Sequence, residues 1–240
     1  MFVGGALCLA IAFLSMPKHD GSNPILLPFR PYPAHAEDVQ LSDNGVCYVF
    51  VHPGFCVYTE SARDATKQPE LYGDYAAYQR ELEALIQRVK DSRALCVYVI
   101  EDRVAEGVLL PPAYGIPHPL ACRLVTRSGT GLPAEQFQMD GAQVFQTPQL
   151  LFDFLRANGV REIRVAGELA WRKFRYGDET ELRLGNACVT QATEVFRSAG
   201  FQIRGVKGAV FPLNPPPADI PTTDANALYI NPVTEPEPPR

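Results

Sequence analysis

The chain has no CxxC pair and no Cys/His group with zinc-ligand spacing, so nothing in its sequence points to a metal-stapled module. A charge excess of one sign is also missing. Lys and Arg number 22 against 27 Asp and Glu, the net charge is −5, and no basic block occurs. Phosphate binding needs clustered cations, so nucleic acid is excluded as the main partner. No internal repeat is present. The apolar run at residues 2–14 (FVGGALCLAIAFL) falls short of the ~20 residues a comfortable membrane span needs and fits the core of an export signal better. No Lys or Arg precedes that run, and its best small-x-small pattern, Ala34-His35-Ala36, lies far downstream. Export to a periplasm or anchoring to a membrane is therefore the expectation, with a misassigned start, a buried strand and a cytoplasmic protein as the alternatives.

What is present is a globular core. Of the 240 residues, 46% are hydrophobic and 20% charged, enough for one large or two small domains. Many of the 22 prolines lie in two flanking stretches. Residues 1–40 combine the apolar run with a Pro-rich linker, and residues 213–240, with PPP, PTT and EPEPPR, read as a disordered or loosely attached tail. One domain, residues 41–212, remains. Its cysteines differ in setting. Cys47, Cys96 and Cys122 sit in apolar, strand-like runs and read as small buried hydrophobes, whereas Cys47 and Cys56 can pair in an oxidising compartment.

Within the domain the segments alternate. Residues 46–52 (VCYVFVH) and 95–100 (LCVYVI) are continuous apolar runs, as expected for strands covered on both faces. Residues 122–126 (CRLVT) give a weaker third strand, and residues 140–145 a short extended piece. Tyr75, Tyr78, Leu82, Leu85, Ile86 and Val89 mark one face of a helix over 75–90. Thr147-Pro148 opens another helix and Asn158-Gly159 closes it. A strand over 160–166, a helix led by Cys188 and closed at Gly200, and a strand over 201–206 complete the pattern. The alternation implies an α/β fold, a doubly wound, mostly parallel sheet with helices on both faces in a three-layer, Rossmann-like arrangement. Ligands then bind beyond the C-terminal strand ends, where His52, Glu101, Asp102, Gly167, Glu168 and Cys188 fall. A helix N-terminus stabilises a thiolate, which makes Cys188 the candidate nucleophile.

The segments FQTPQLLFDFLRANGVREIRVAGE and CVTQATEVFRSAGFQI carry a resemblance. In order and pattern, residues 46–212 resemble the isochorismatase-like cysteine hydrolases, the superfamily that includes nicotinamidases and N-carbamoyl amidohydrolases. The resemblance implies a small amide, imide or enol-ether substrate, a Cys nucleophile matching Cys188, an Asp ending the first strand, and a Lys beside the thiolate. Two of those positions depart here. His52 stands where the Asp is expected, and QFQMDGAQVF has no Lys before Phe145, placing Met139 or Asp140 near that position. The segment WRKFRYGDETELRLG is inserted between Gly167 and Cys188. Of the metal cluster of nicotinamidase-like members, Asp102 and the distant His118 alone could contribute, so no metal and no cofactor are expected.

Each candidate has a second, plainer reading. Cys188 is either the nucleophile or a small residue packing a helix on the sheet. His52 is either a substitute base or the lead of a tight His-Pro-Gly turn. Glu101, Asp102 and Glu168 either line a pocket or are solvated carboxylates at strand ends. Asp140 can position a substrate but cannot replace a cation. The insertion is either a lid bringing a new cation or a surface hairpin for a partner, and its arginines and aromatics suit a homo-oligomer contact. Two functions follow: a cysteine-dependent hydrolase on a small molecule, or a catalytically inactive descendant that binds a small ligand or a protein.

Overall fold

The computed structural model describes residues 44–54, 56, 60–92, 94–99, 120–122, 143–145, 148–175, 182–217 and 228–235. Strand β1 is Val46–Val51, followed by the short helices α1 (Glu60–Thr66) and α2 (Pro69–Tyr72) and the long helix α3 (Tyr75–Ser92). Strands β2 (Cys96–Val99), β3 (Leu120–Cys122) and β4 (Gln143–Phe145) precede helix α4 (Pro148–Ala157). Strand β5 (Glu162–Glu168) leads into a hairpin of β6 (Trp171–Arg175) and β7 (Leu182–Asn186), then helix α5 (Cys188–Ser198) and strand β8 (Gln202–Phe211).

Six strands form one parallel sheet in the order β4-β3-β2-β1-β5-β8. Central β1 is buried at all but one position and β2 at every position, which is why their sequences are apolar without alternation. Helix α3 lies along β8, and Gly208 gives it room, since a Cβ there would press on the Glu81 side chain. Helices α4 and α5 meet through Phe152 and Phe196, whose ring centroids are 5.3 Å apart, and α5 packs on β5 and β8. The fold is the doubly wound, three-layer α/β architecture expected from the alternation.

The chain builds the sheet outward from β1 to β4, then returns to β1's other side with β5 and β8. The winding therefore reverses at the β1/β5 pair, where the crossovers leave to opposite sides and the strand ends part into a crevice. Strands β1 and β5 approach so closely there that Gly167 is required. Its φ is +126° and a Cβ would strike the carbonyl oxygen of Val51.

Several expectations shift in detail. The described third strand starts at Leu120 rather than Cys122, because Leu120 pairs with Val97 and Cys122 with Val99. Helices α1 and α2 carry no long amphipathic stripe and were not foreseen. The insertion folds as an antiparallel hairpin. Part of the segment read as a loose tail is docked on the domain. Leu228 and Val233 are buried, Val233 extends the sheet beyond β8 by bridging Val206, and Glu235 pairs with Arg164 at 3.0 Å. Residues 1–43, with the export or anchor segment, lie outside the described residues. Among the described residues no helix is long and apolar enough to cross a membrane.

Candidate active site

The reversal of winding brings the loop after β1 against the end of β5. That loop contains His52, Gly54 and Cys56, and β5 ends in Glu168. Glu168 is fully buried. Its carboxylate accepts the Cys56 N–H at 2.7 Å, the Gly54 N–H at 3.3 Å and the Tyr75 hydroxyl at 2.9 Å. The plain reading of Glu168 as a solvated strand-end carboxylate is therefore overturned. Around it stand the rings of Tyr72, Tyr75, Tyr78, Trp171 and Phe211, with Tyr75 and Phe211 edge to face at 5.1 Å and Tyr72 and Trp171 at 5.1 Å. Burial in this apolar wall raises the Glu168 pKa, and the hydrogen bonds from Cys56 and Tyr75 oppose that rise without cancelling it.

Cys188 opens α5. The helix start is fixed to the stretch that follows Glu168. Val189 N–H donates to the Leu169 carbonyl at 2.9 Å, Ala187 N–H to the Ala170 carbonyl at 2.9 Å, and the Thr190 hydroxyl to the same Ala170 carbonyl at 2.7 Å. Ala187, at the N-cap, has no side-chain oxygen to close the first turn, and the Leu169 carbonyl takes the Val189 N–H in its place. Cys188 is half-buried, in contrast to Cys47, Cys56 and Cys96, which are buried.

Cys56 links the two halves of the site. Its thiol is pushed up strongly by burial, then by the adjacent Glu168 carboxylate; Arg172 pulls it down and Cys188 raises it. Cys56 thus has neighbours on three elements: Glu168 on β5, Arg172 on β6 and Cys188 on α5. Arg172 is held near Tyr72 by the hairpin, where Lys173 N–H donates to the Tyr72 hydroxyl at 3.1 Å. Sequence reading placed Cys188 and Glu168 at this end and offered the insertion as the source of a new cation, which Arg172 supplies. It missed Cys56 and Tyr75 as members. The nearness of Cys56 to His52 in the segment after β1 was the available signal for the first; Tyr75 gave none, since it counts equally well as part of the apolar stripe of α3.

His52 takes a left-handed turn at φ 44°, and its N–H donates to the Val99 carbonyl at 3.1 Å. Burial lowers its pKa to about 4, so the ring is a neutral, weak base at physiological pH. Glu101, Asp102 and Asp140 lie outside the described residues. Cys47 and Cys56 are free thiols, and no disulfide joins them. Among the described residues no group of three His, Cys, Asp or Glu could hold a metal ion. An open depression of about 580 Å³, lined by Arg156, Val160, Arg161, Phe201 and Gln202, lies at the opposite end of β5 and β8 and belongs to no part of this site.

The fold and site define an α/β protein with a thiol and a buried carboxylate at the winding reversal of a parallel sheet. No family model matches the chain, and no curated protein matches it. Solved structures resemble it distantly. An Escherichia coli protein described as an octameric hydrolase of unknown specificity is 14% identical over 78% of this chain and 70% of its own, with a TM-score of 0.39. Nicotinamidase PncA from Bacillus subtilis is 14% identical over 71% of this chain and 88% of its own, with a TM-score of 0.35. An isochorismatase family protein from Burkholderia thailandensis is 16% identical over 72% and 82%, with a TM-score of 0.31. At such identities and scores no residue role passes from those proteins to this chain.

Proposed function

We propose that the chain is an isochorismatase-like hydrolase that uses Cys188 to attack the carbonyl or imine carbon of a small amide, imide or related substrate. In this reading Glu168 supplies the acid–base group and Arg172 the cation. The carboxylate comes from the end of β5 instead of the end of β1, and the cation from the inserted hairpin instead of the loop before Phe145. The observation that carries the reading is the grouping of a half-buried thiol at a helix start with a buried carboxylate of raised pKa and an arginine. A carboxylate of raised pKa is a stronger base when ionised and a more usable acid when protonated. Arg172 would favour the thiolate and the negative charge that develops on the substrate oxygen.

The test combines two measurements on the full chain. Iodoacetamide should alkylate Cys188 at neutral pH in the folded protein, faster than a free cysteine. A panel of small amides and imides, nicotinamide among them, should be turned over by the wild type and not by Cys188→Ala. Alkylation of Cys188 only after unfolding would end the proposal.

A second reading has its own support. Glu168 has donors from Gly54, Cys56 and Tyr75, an arrangement that also suits a carboxylate that simply ties down the β1 loop. A binding module without catalysis would then remain, showing slow labelling and saturable ligand binding with no turnover.

A further inference from the structure

Hydrolysis by Cys188 leaves Cys56 without a chemical role, although it is the thiol beside Glu168. Cys56 is 1% exposed, and its N–H is bound to the Glu168 carboxylate at 2.7 Å. Cys188 precedes Val189, whose N–H is bound at 2.9 Å to the carbonyl of Leu169, the residue after Glu168. Cys56 and the residue next to Cys188 are thus tied to consecutive residues, Glu168 and Leu169. Cys188 lies near enough to Cys56 to add to the upward push on its thiol. The other described thiols, Cys47 and Cys96, are inside the sheet, where burial suppresses thiolate formation.

We propose that Cys188 is a site of hydroperoxide oxidation and that Cys56 resolves the product as an intramolecular disulfide. The Cys188 thiolate attacks the distal oxygen of the peroxide and the O–O bond breaks. A sulfenic acid forms on Cys188, and the leaving oxygen departs as an alcohol, or as water from hydrogen peroxide. The Cys56 thiol then attacks the Cys188 sulfur. Its proton passes to the Glu168 carboxylate, the S–O bond breaks, and hydroxide leaves as water after taking that proton. Two thiols lose two electrons, and the peroxide gains them. Partial exposure of Cys188 admits the peroxide, and full burial of Cys56 protects the resolving thiol from direct oxidation. The inference rests on Cys188 being a reactive thiol, as the proposed hydrolase requires, and not on hydrolysis itself.

The test is peptide mapping of the full chain after titration with hydrogen peroxide, with iodoacetamide labelling in parallel. A Cys56–Cys188 cross-linked peptide lighter by two hydrogens should appear. Labelling of Cys188 should fall about tenfold and return with dithiothreitol. In Cys56→Ser, Cys188 should stop at the sulfenic acid and be captured by dimedone; if that variant does not fold, the wild-type map alone decides. Irreversible over-oxidation of Cys188 without a cross-link, a cross-link to Cys47 or Cys96, or an unmodified Cys188 under peroxide would overturn the proposal. Rapid iodoacetamide labelling without a cross-link would sink this inference and leave the hydrolase standing. A cross-link without amide turnover would do the reverse.

Discussion

At the scale of single residues, two buried titratable groups flank the same loop with opposite pH signatures. His52 has its folded pKa lowered to about 4 from 6.5 by burial. Its contribution to stability is present above 6.5 and is lost as pH falls through 4, because the unfolded chain takes up the proton first. A shift of that size corresponds to about 3 kcal/mol. His52→Asn keeps a residue that tolerates the left-handed turn and removes the titration. Its denaturant midpoint should therefore fall less than that of the wild type between pH 7 and pH 4, and parallel curves would refute the assignment. Glu168 behaves in the other sense. Its folded pKa is raised, so its contribution is complete below the ordinary carboxylate value and is lost as pH rises through the folded value. Glu168→Gln should gain stability relative to wild type as pH rises from 4 to 8, while amide turnover falls by about 100-fold or more. Turnover unchanged in that variant would remove Glu168 from the chemistry.

At the scale of elements, the central strands and the long helices were legible because each carries its signal in its own sequence, an unbroken apolar run for the strands and a 3.6-residue stripe for the helices. VCYVFV is buried on both faces, and the stripe from Tyr78 to Val89 faces the sheet. The partners of Glu168 were not legible, since its burial depends on β1 and α3 closing over it, and no local pattern encodes that meeting. The docking of residues 228–235 was hidden for a related reason. Proline-rich composition signals little periodic burial, yet a few anchors suffice when a sheet edge is open beside them. Val233 N–H bonds the Gly205 carbonyl at 2.8 Å, and Lys207 N–H bonds the Val233 carbonyl at 2.9 Å, which covers the β8 edge. Gly205 makes room for this segment, because a Cβ there would strike the Leu228 carbonyl oxygen. Gly205→Ala should expose the Lys207 and Val233 amides to hydrogen exchange while the β5 pairing on the other edge stays protected. Unchanged protection at both amides would show that the segment adjusts without leaving the edge.

At the scale of the whole molecule, the same segment closes the β8 edge of the sheet and ties residues 228–235 to the domain. Tyr229 donates its hydroxyl to the Pro212 carbonyl at 2.7 Å, just past the end of β8. Glu235 accepts from both Arg164 and Tyr48, so β1, β5 and the C-terminal segment are clasped together on one face. Leu228 and Val233 are 2% and 7% exposed. Burying two such side chains contributes about 3–5 kcal/mol. The ion pair to Arg164 adds less, because a partly exposed pair loses much of its Coulomb gain to solvent and ordering. Ending the chain after residue 217 should therefore lower Tm by about 10 °C, given about 2–4 °C per kcal/mol for a domain of this size. The site should survive that loss at low temperature, since Glu168 is held by donors from Gly54, Cys56 and Tyr75 and the start of α5 by the Leu169 and Ala170 carbonyls. Iodoacetamide labelling of Cys188 in the truncated chain should match the full chain at 10 °C and diverge as the temperature nears the lowered Tm. An unchanged Tm would mean that the anchors give no net stability, and altered labelling at 10 °C would mean that the clasp reaches the site through β5.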